Sequence, residues 1–113
     1  VENVAGVGTP DVNTTRGWIE LKVISRWPSD PARPLLVPEF TPQQRAWIAR
    51  RRNRGGSVWV LIRVANDWLL FDGMVASRRL GMMNKEDCRK TALRAWMGAL
   101  NERELLDFLL HAN

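Results

Sequence analysis

Proline is confined to the first part of this chain. All six prolines lie at or before residue 42, and four of them fall in one stretch, WPSDPARPLLVPEF, residues 27–40. Proline has no backbone N–H and a fixed φ, so this stretch supports neither a regular helix nor a central strand. It is expected to be a surface connection that borders a groove. Beyond residue 42 regular structure is unobstructed.

Thr41, Pro42 and Gln44 open the first such element. Thr-x-x-Gln is a capping box, with proline at the first helical position where its missing N–H costs nothing. The helix should run to about Arg54, with Gly55 and Gly56 supplying a left-handed stop. Then SVWVLIRV, residues 57–64, is a nearly continuous apolar run, as expected of a strand covered on both faces. AND at 65–67 reads as a turn and WLLFDG at 68–73 as the partner strand.

Before the proline stretch, GWIELKVIS at 17–25 is rich in β-branched and aromatic types and predicts a strand, with a briefer one over 10–14. After residue 84, two helices are predicted, from about Lys85 to Leu100 and from about Glu102 to His111, capped by Asn84 and Asn101. Leu93, Trp96, Met97 and Leu100 would share one helical face, and Leu105, Phe108 and Leu109 another, as core or oligomer interface. The order β-β-loop-α-β-β-α-α predicts one small mixed α/β (α+β) domain: a core over residues 1–76 and a helical extension over 77–113.

Net charge is +5, and 14 of the 17 basic residues are arginine, the side chain suited to bidentate contact with phosphate. Between Glu39 and Asp67 there is no acidic residue, yet Arg45, Arg50, Arg51, Arg52, Arg54 and Arg63 all occur there. A one-signed patch of this kind suits a polyanion, and it equally suits a solvated helix face. The apolar runs are far shorter than the ~20 residues that cross a bilayer, so no membrane partner is expected. A lone cysteine, Cys88, and this composition fit a soluble, cytoplasmic protein, in a host cell if the protein is viral.

Counting residues removes several chemistries. One histidine, His111, and one cysteine leave no His/Cys zinc set and no catalytic triad. No phosphate loop or dinucleotide fingerprint is present, so no nucleotide cofactor is expected. Carboxylate and lysine chemistry remains. Residues two apart on a strand share a face, so Glu20 and Lys22 project together, and Ile19, Leu21 and Val23 are expected to point the other way, into the core. A hairpin through Asn13 to Gly17 would bring Asp11, on a bend fixed by Pro10, beside Glu20. Two converging carboxylates suit Mg²⁺ or Mn²⁺. A plain ion pair on a solvated sheet face explains Glu-x-Lys as well.

Taken in order, GTPDV, WIELK, TPQQRAW and GGSVWVLIRV resemble the PD-(D/E)xK nuclease superfamily. Within it they are most similar to the small VRR-NUC domains of phage and bacterial proteins, a group that includes Holliday-junction-resolvase-like enzymes. The resemblance covers roughly residues 2–73. It implies a restriction-endonuclease-like core, with Asp11 and Glu20 as metal ligands and Lys22 as the catalytic lysine. Gln44, or its neighbour Gln43 if the register differs by one, matches a glutamine that positions substrate or the lysine. One side chain is not expected to serve both that role and the capping box. Glu2 matches an acidic position ahead of the bend and is a candidate third ligand. The superfamily's first helix has no counterpart in the ten residues before Asp11, which favours a homodimer and a two-fold-symmetric substrate.

The function implied is a Mg²⁺- or Mn²⁺-dependent endonuclease acting on DNA, in particular branched or Holliday-junction DNA. Arg45, Arg51, Arg52 and Arg54 would grip phosphates, with Arg45 and Arg52 best placed because they face away from Trp47 and Ile48. Two other readings stand beside it: a non-catalytic nucleic-acid-binding or assembly protein that uses the same basic surface, and an interaction module built on the apolar C-terminal helices.

Overall fold

The computed structural model describes residues 12–14, 17–38 and 40–111. Its centre is a five-stranded mixed sheet whose strands lie in sequence order: β1 (Val12–Thr14), β2 (Gly17–Ile24), β3 (Val58–Val64), β4 (Asp67–Asp72) and β5 (Arg94–Trp96). Only β2 and β3 run parallel, and the crossover between them carries α1 (Pro42–Asn53). The other neighbours are antiparallel. Helices α2 (Gly73–Arg79), α3 (Lys85–Thr91) and α4 (Glu102–His111) complete a mixed α/β fold.

α1 forms as its cap predicts. Thr41 Oγ1 accepts the N–H of Gln44 at 3.1 Å, and Gln44 Oε1 accepts the N–H of Thr41 at 3.2 Å. Gly55 follows the helix at φ +86°, the left-handed geometry that releases the chain toward β3. β3 is buried on both faces except at Arg63, as its apolar run requires. Val58, Val60, Ile62 and Val64 meet Ile48 of α1 and Leu69 and Phe71 of β4, and Ala76, Leu80, Met83 and Cys88 close the same layer. On the opposite face Trp59, Leu61, Leu70 and Trp96 pack under α4 through Leu109, with Leu105 and Phe108 beside it.

Three expectations change. The proline-rich stretch is not only a surface connection, because Leu35, Val37 and Phe40 plug into the core and the N–H of Leu35 donates to Met83 O at 2.8 Å. It does border a groove, lined by Trp27, Arg33 and Leu36 among others. The helix predicted from Lys85 to Leu100 stops at Thr91, where Ala92 turns extended (ψ 143°) and residues 94–96 pair with β4. An open edge on β4 leaves backbone groups that a neighbouring strand satisfies, and that tertiary gain outweighs helical propensity. The C-terminal part therefore adds a strand to the sheet rather than a purely helical extension, and Leu93 and Met97 lie exposed. Finally, α2 begins directly after β4, where Asp72 Oδ2 accepts the N–H of Met74 at 2.9 Å.

Gly73, the first residue of α2, is wedged against the sheet. A Cβ there would meet Val58 O at 2.8 Å and Ile48 Cγ2 at 2.9 Å. The carbonyl belongs to the central strand and cannot give way. Gly73→Ala is expected to cost about 1–3 kcal/mol, read as a lower urea midpoint at unchanged slope.

Candidate active site

The β2–β3 register fixes the surroundings of the Glu-x-Lys pair. Trp18, Glu20, Lys22 and Ile24 stand level with Val58, Val60, Ile62 and Val64, the row that lies under α1. Val60 and Ile62, the direct neighbours of the carboxylate and the ammonium, are fully buried aliphatics. Glu20 is 2% exposed and Lys22 7%, whereas Leu21 is 40% and Val23 57% exposed. The expected faces of β2 are thus reversed. The charged face is the covered one, because α1 crosses it, while α4 covers β3 to β5 and leaves Leu21 and Val23 open.

Inside this layer Lys22 Nζ lies 3.2 Å from Glu20 Oε2, and Gln44 Nε2 donates to the same oxygen at 3.3 Å. Gln44 thus closes the capping box, through its Oε1 and backbone N–H, and at the same time reaches the Glu20 carboxylate through its Nε2. The helix N-terminus and the strand are joined through a single amide, which fixes where the Glu20 carboxylate sits relative to α1. Gln43 is exposed on the helix, and it is Gln44 that meets Glu20.

Asp11 and Glu2 lie outside the described residues. The hairpin that precedes Glu20 is present, with Val12 opposite Ile19 and Thr14 opposite Gly17. Among the described residues no group of three or more His, Cys, Asp or Glu side chains is assembled for a metal ion. The described part of the site contributes one hard oxygen ligand, Glu20, in the chemistry that Mg²⁺ or Mn²⁺ prefers.

The arginines of α1 divide by direction. Arg45 turns toward α2, where its guanidinium donates to the carbonyls of Ser77 at 3.0 Å and Leu80 at 2.6 Å and lies 4.5 Å over the Phe40 ring. Burial lowers its pKa from the ordinary guanidinium value, and the carbonyl cage at the end of α2 holds the charge in place. Arg52 pairs with Asp72 at 3.0 Å. These two, favoured from sequence as phosphate contacts, are committed to α2 instead. Their positions face away from Trp47 but not from Ile48, which lies three residues after Arg45 and four before Arg52 on the same side of α1, and the space there is filled by a helix that the sequence pattern did not reveal. Arg45→Met should cost about 2 kcal/mol through lost charge-assisted bonds. DNA affinity should change little, which parallel unfolding and binding titrations would check.

Arg51 behaves differently. Its guanidinium lies 5.3 Å from the Trp18 ring and 5.7 Å from the Trp47 ring, and the two indoles meet edge to face at 5.8 Å. Arg54 is exposed beyond it. This cluster of Arg51 with Trp18 and Trp47 was missed from sequence. Its signal was present in the alternation Trp18-x-Glu20-x-Lys22, which puts the indole in the same row as the charged pair. Cys88 offers no nucleophile, since burial and nearby Asp87 push its thiol up to about 11.

No protein-family model matches this chain, and comparison with curated proteins and with solved structures finds no match either.

Proposed function

We propose that this protein is a metal-dependent endonuclease that hydrolyses DNA phosphodiester bonds, with branched DNA as substrate and a homodimer as the working form. The observation that carries this reading is the buried Glu20–Lys22 pair with Gln44 on the shared oxygen. Desolvating two charges costs several kcal/mol each, and apolar residues of similar size in their place are often as stable or more so. A fold gains little by keeping such a pair among Val60 and Ile62. A catalytic site gains a carboxylate and an ammonium at fixed separation, in low dielectric, where their fields are strongest.

In this reading Glu20 and Asp11 would hold Mg²⁺ or Mn²⁺, with Glu2 as a third oxygen ligand. A bound divalent ion supplies Lewis acidity toward the phosphate and a water of lowered pKa. Gln44 holds the Glu20 carboxylate in orientation through Nε2. The ammonium of Lys22 would orient the attacking water and offset negative charge as the phosphate becomes five-coordinate. Water gives up one proton to solvent as its oxygen forms the new P–O bond, the bridging P–O bond breaks, and the leaving alkoxide takes up a proton from solvent.

The test is cleavage of a labelled four-way junction, a linear duplex and a single strand, each with Mg²⁺, Mn²⁺ or EDTA. Cutting with either ion, absent in EDTA and fastest on the junction, is the expected result. Salt-sensitive binding without cutting under any ion would leave a nucleic-acid-binding protein, the reading that the basic surface of α1 supports by itself.

A further inference from the structure

We propose that the cavity at the C-terminal end of α1 is a phosphate pocket, holding a nucleic-acid phosphodiester a few nucleotides from the bond at Glu20. The position of that bond rests on the nuclease reading above; the anion chemistry of the pocket rests on its own residues. The cavity measures about 480 Å³ and is lined by Trp47, Arg50, Arg51, Arg54, Gly55 and Gly56, with three guanidiniums and no carboxylate. Among the described residues, none of these three guanidiniums has a hydrogen bond or ion pair, in contrast to Arg45 and Arg52.

Basic residues in a last helical turn are expected from the helix dipole alone. The dipole does not account for two further observations. Arg51 Nε is buried with no hydrogen-bond partner, and so is Trp18 Nε1 beside it. Buried donors in folded proteins are almost always paired, so the orphaned Nε of Arg51, whose side chain lines the cavity, points to an acceptor that binds there. The guanidinium is also held in advance against two indoles that touch each other edge to face, which lowers the entropy cost of engaging an anion. Gly56 makes that packing possible, since a Cβ there would meet Arg51 Cγ at 2.8 Å.

The spacing ties the pocket to the candidate active site. Gln44 marks Glu20 on α1, and Trp47 to Arg54 lie about 5–15 Å farther along the helix at ~1.5 Å per residue. Trp18, one of the two indoles at Arg51, is one strand repeat of ~7 Å from Glu20 on the same face. A strand with one phosphate at Glu20 would therefore place a flanking phosphate, on one side of the cut only, among these arginines. The source of the phosphate is a nucleic-acid chain rather than a free ion, because the cavity opens beside a site that would act on such a chain.

The experiment is fluorescence anisotropy of labelled duplex and single-stranded DNA across a salt series, in EDTA so that no cleavage enters. Arg50→Gln/Arg54→Gln alters two exposed side chains and should fold normally. Binding should weaken about tenfold, and the slope of log K against log salt should become shallower by roughly 0.7–0.9, the value of one lost phosphate contact. Arg103→Gln on α4 should change neither. A methylphosphonate placed at successive positions should weaken wild-type binding at one of them and leave the double variant indifferent there. Unchanged affinity and slope in the double variant would overturn the proposal. So would a variant that loses calorimetric binding of inorganic phosphate yet binds DNA as before, since the pocket would then serve a free ion. Failure of the nuclease reading shows separately, as absence of cutting with Mg²⁺ or Mn²⁺ while this binding persists.

Discussion

Glu20→Gln should lower the rate of metal-dependent DNA cleavage by roughly 10²–10³-fold, the usual consequence of removing one aligned electrostatic group from a catalytic centre. DNA affinity measured in EDTA should stay within about twofold of wild type. The substitution is nearly isosteric, so the packing of β2 under α1 is kept. It removes the charge that faces Lys22 at 3.2 Å and the anionic oxygen that receives Gln44 Nε2 at 3.3 Å. The proposed binding surface, the arginines around Trp47, is a separate set of side chains. Affinity and rate should therefore part company. A variant that cuts as fast as wild type would remove Glu20 from the chemistry, and one that loses binding and cutting together would signal a folding defect rather than a catalytic one. Circular dichroism on the same samples separates those two outcomes.

How far the sequence was readable depended on whether a signal was local. The capping box of α1 is written in Thr41, Pro42 and Gln44, and the structure reproduces it bond for bond. The continuous apolar run of β3 announced burial on both faces, because no local context competes with so strong a pattern. Asn84 and Asn101 were legible as caps for the same reason, and each accepts the N–H three residues on. What failed was set at a distance. Residues 94–96 become a strand because the edge of β4 lies beside them, a fact that no window of local periodicity contains. The covered face of β2 was misread for a related reason. Alternation shows that Glu20 and Lys22 share a face, but only the position of α1 decides which face is buried, and burying the charged one goes against the usual preference. That local rule breaks at the residues proposed to do the chemistry, where such conflicts are expected.

The cost of that conflict is measurable. Lys22→Met removes the ammonium and leaves a buried carboxylate beside Val60, with Gln44 Nε2 still donating to it. Breaking one side of a buried ion pair typically costs about 3–5 kcal/mol, because the remaining charge has lost its compensation in a low dielectric. Glu20→Leu/Lys22→Met removes both charges and continues the aliphatic row formed by Val60 and Ile62. The gain from ending two desolvations offsets the lost attraction, while Gln44 gives up an acceptor worth about 1 kcal/mol. The double variant should therefore lie within about 2 kcal/mol of wild type and clearly above Lys22→Met, as read from urea midpoints at equal slope. Neither variant should cut DNA, and both should bind it. A fold that tolerates loss of the pair while the activity does not would show that the charges are kept for catalysis. If the double variant instead unfolds as readily as the single one, the pair holds β2 to α1, and the buried charges need no catalytic explanation.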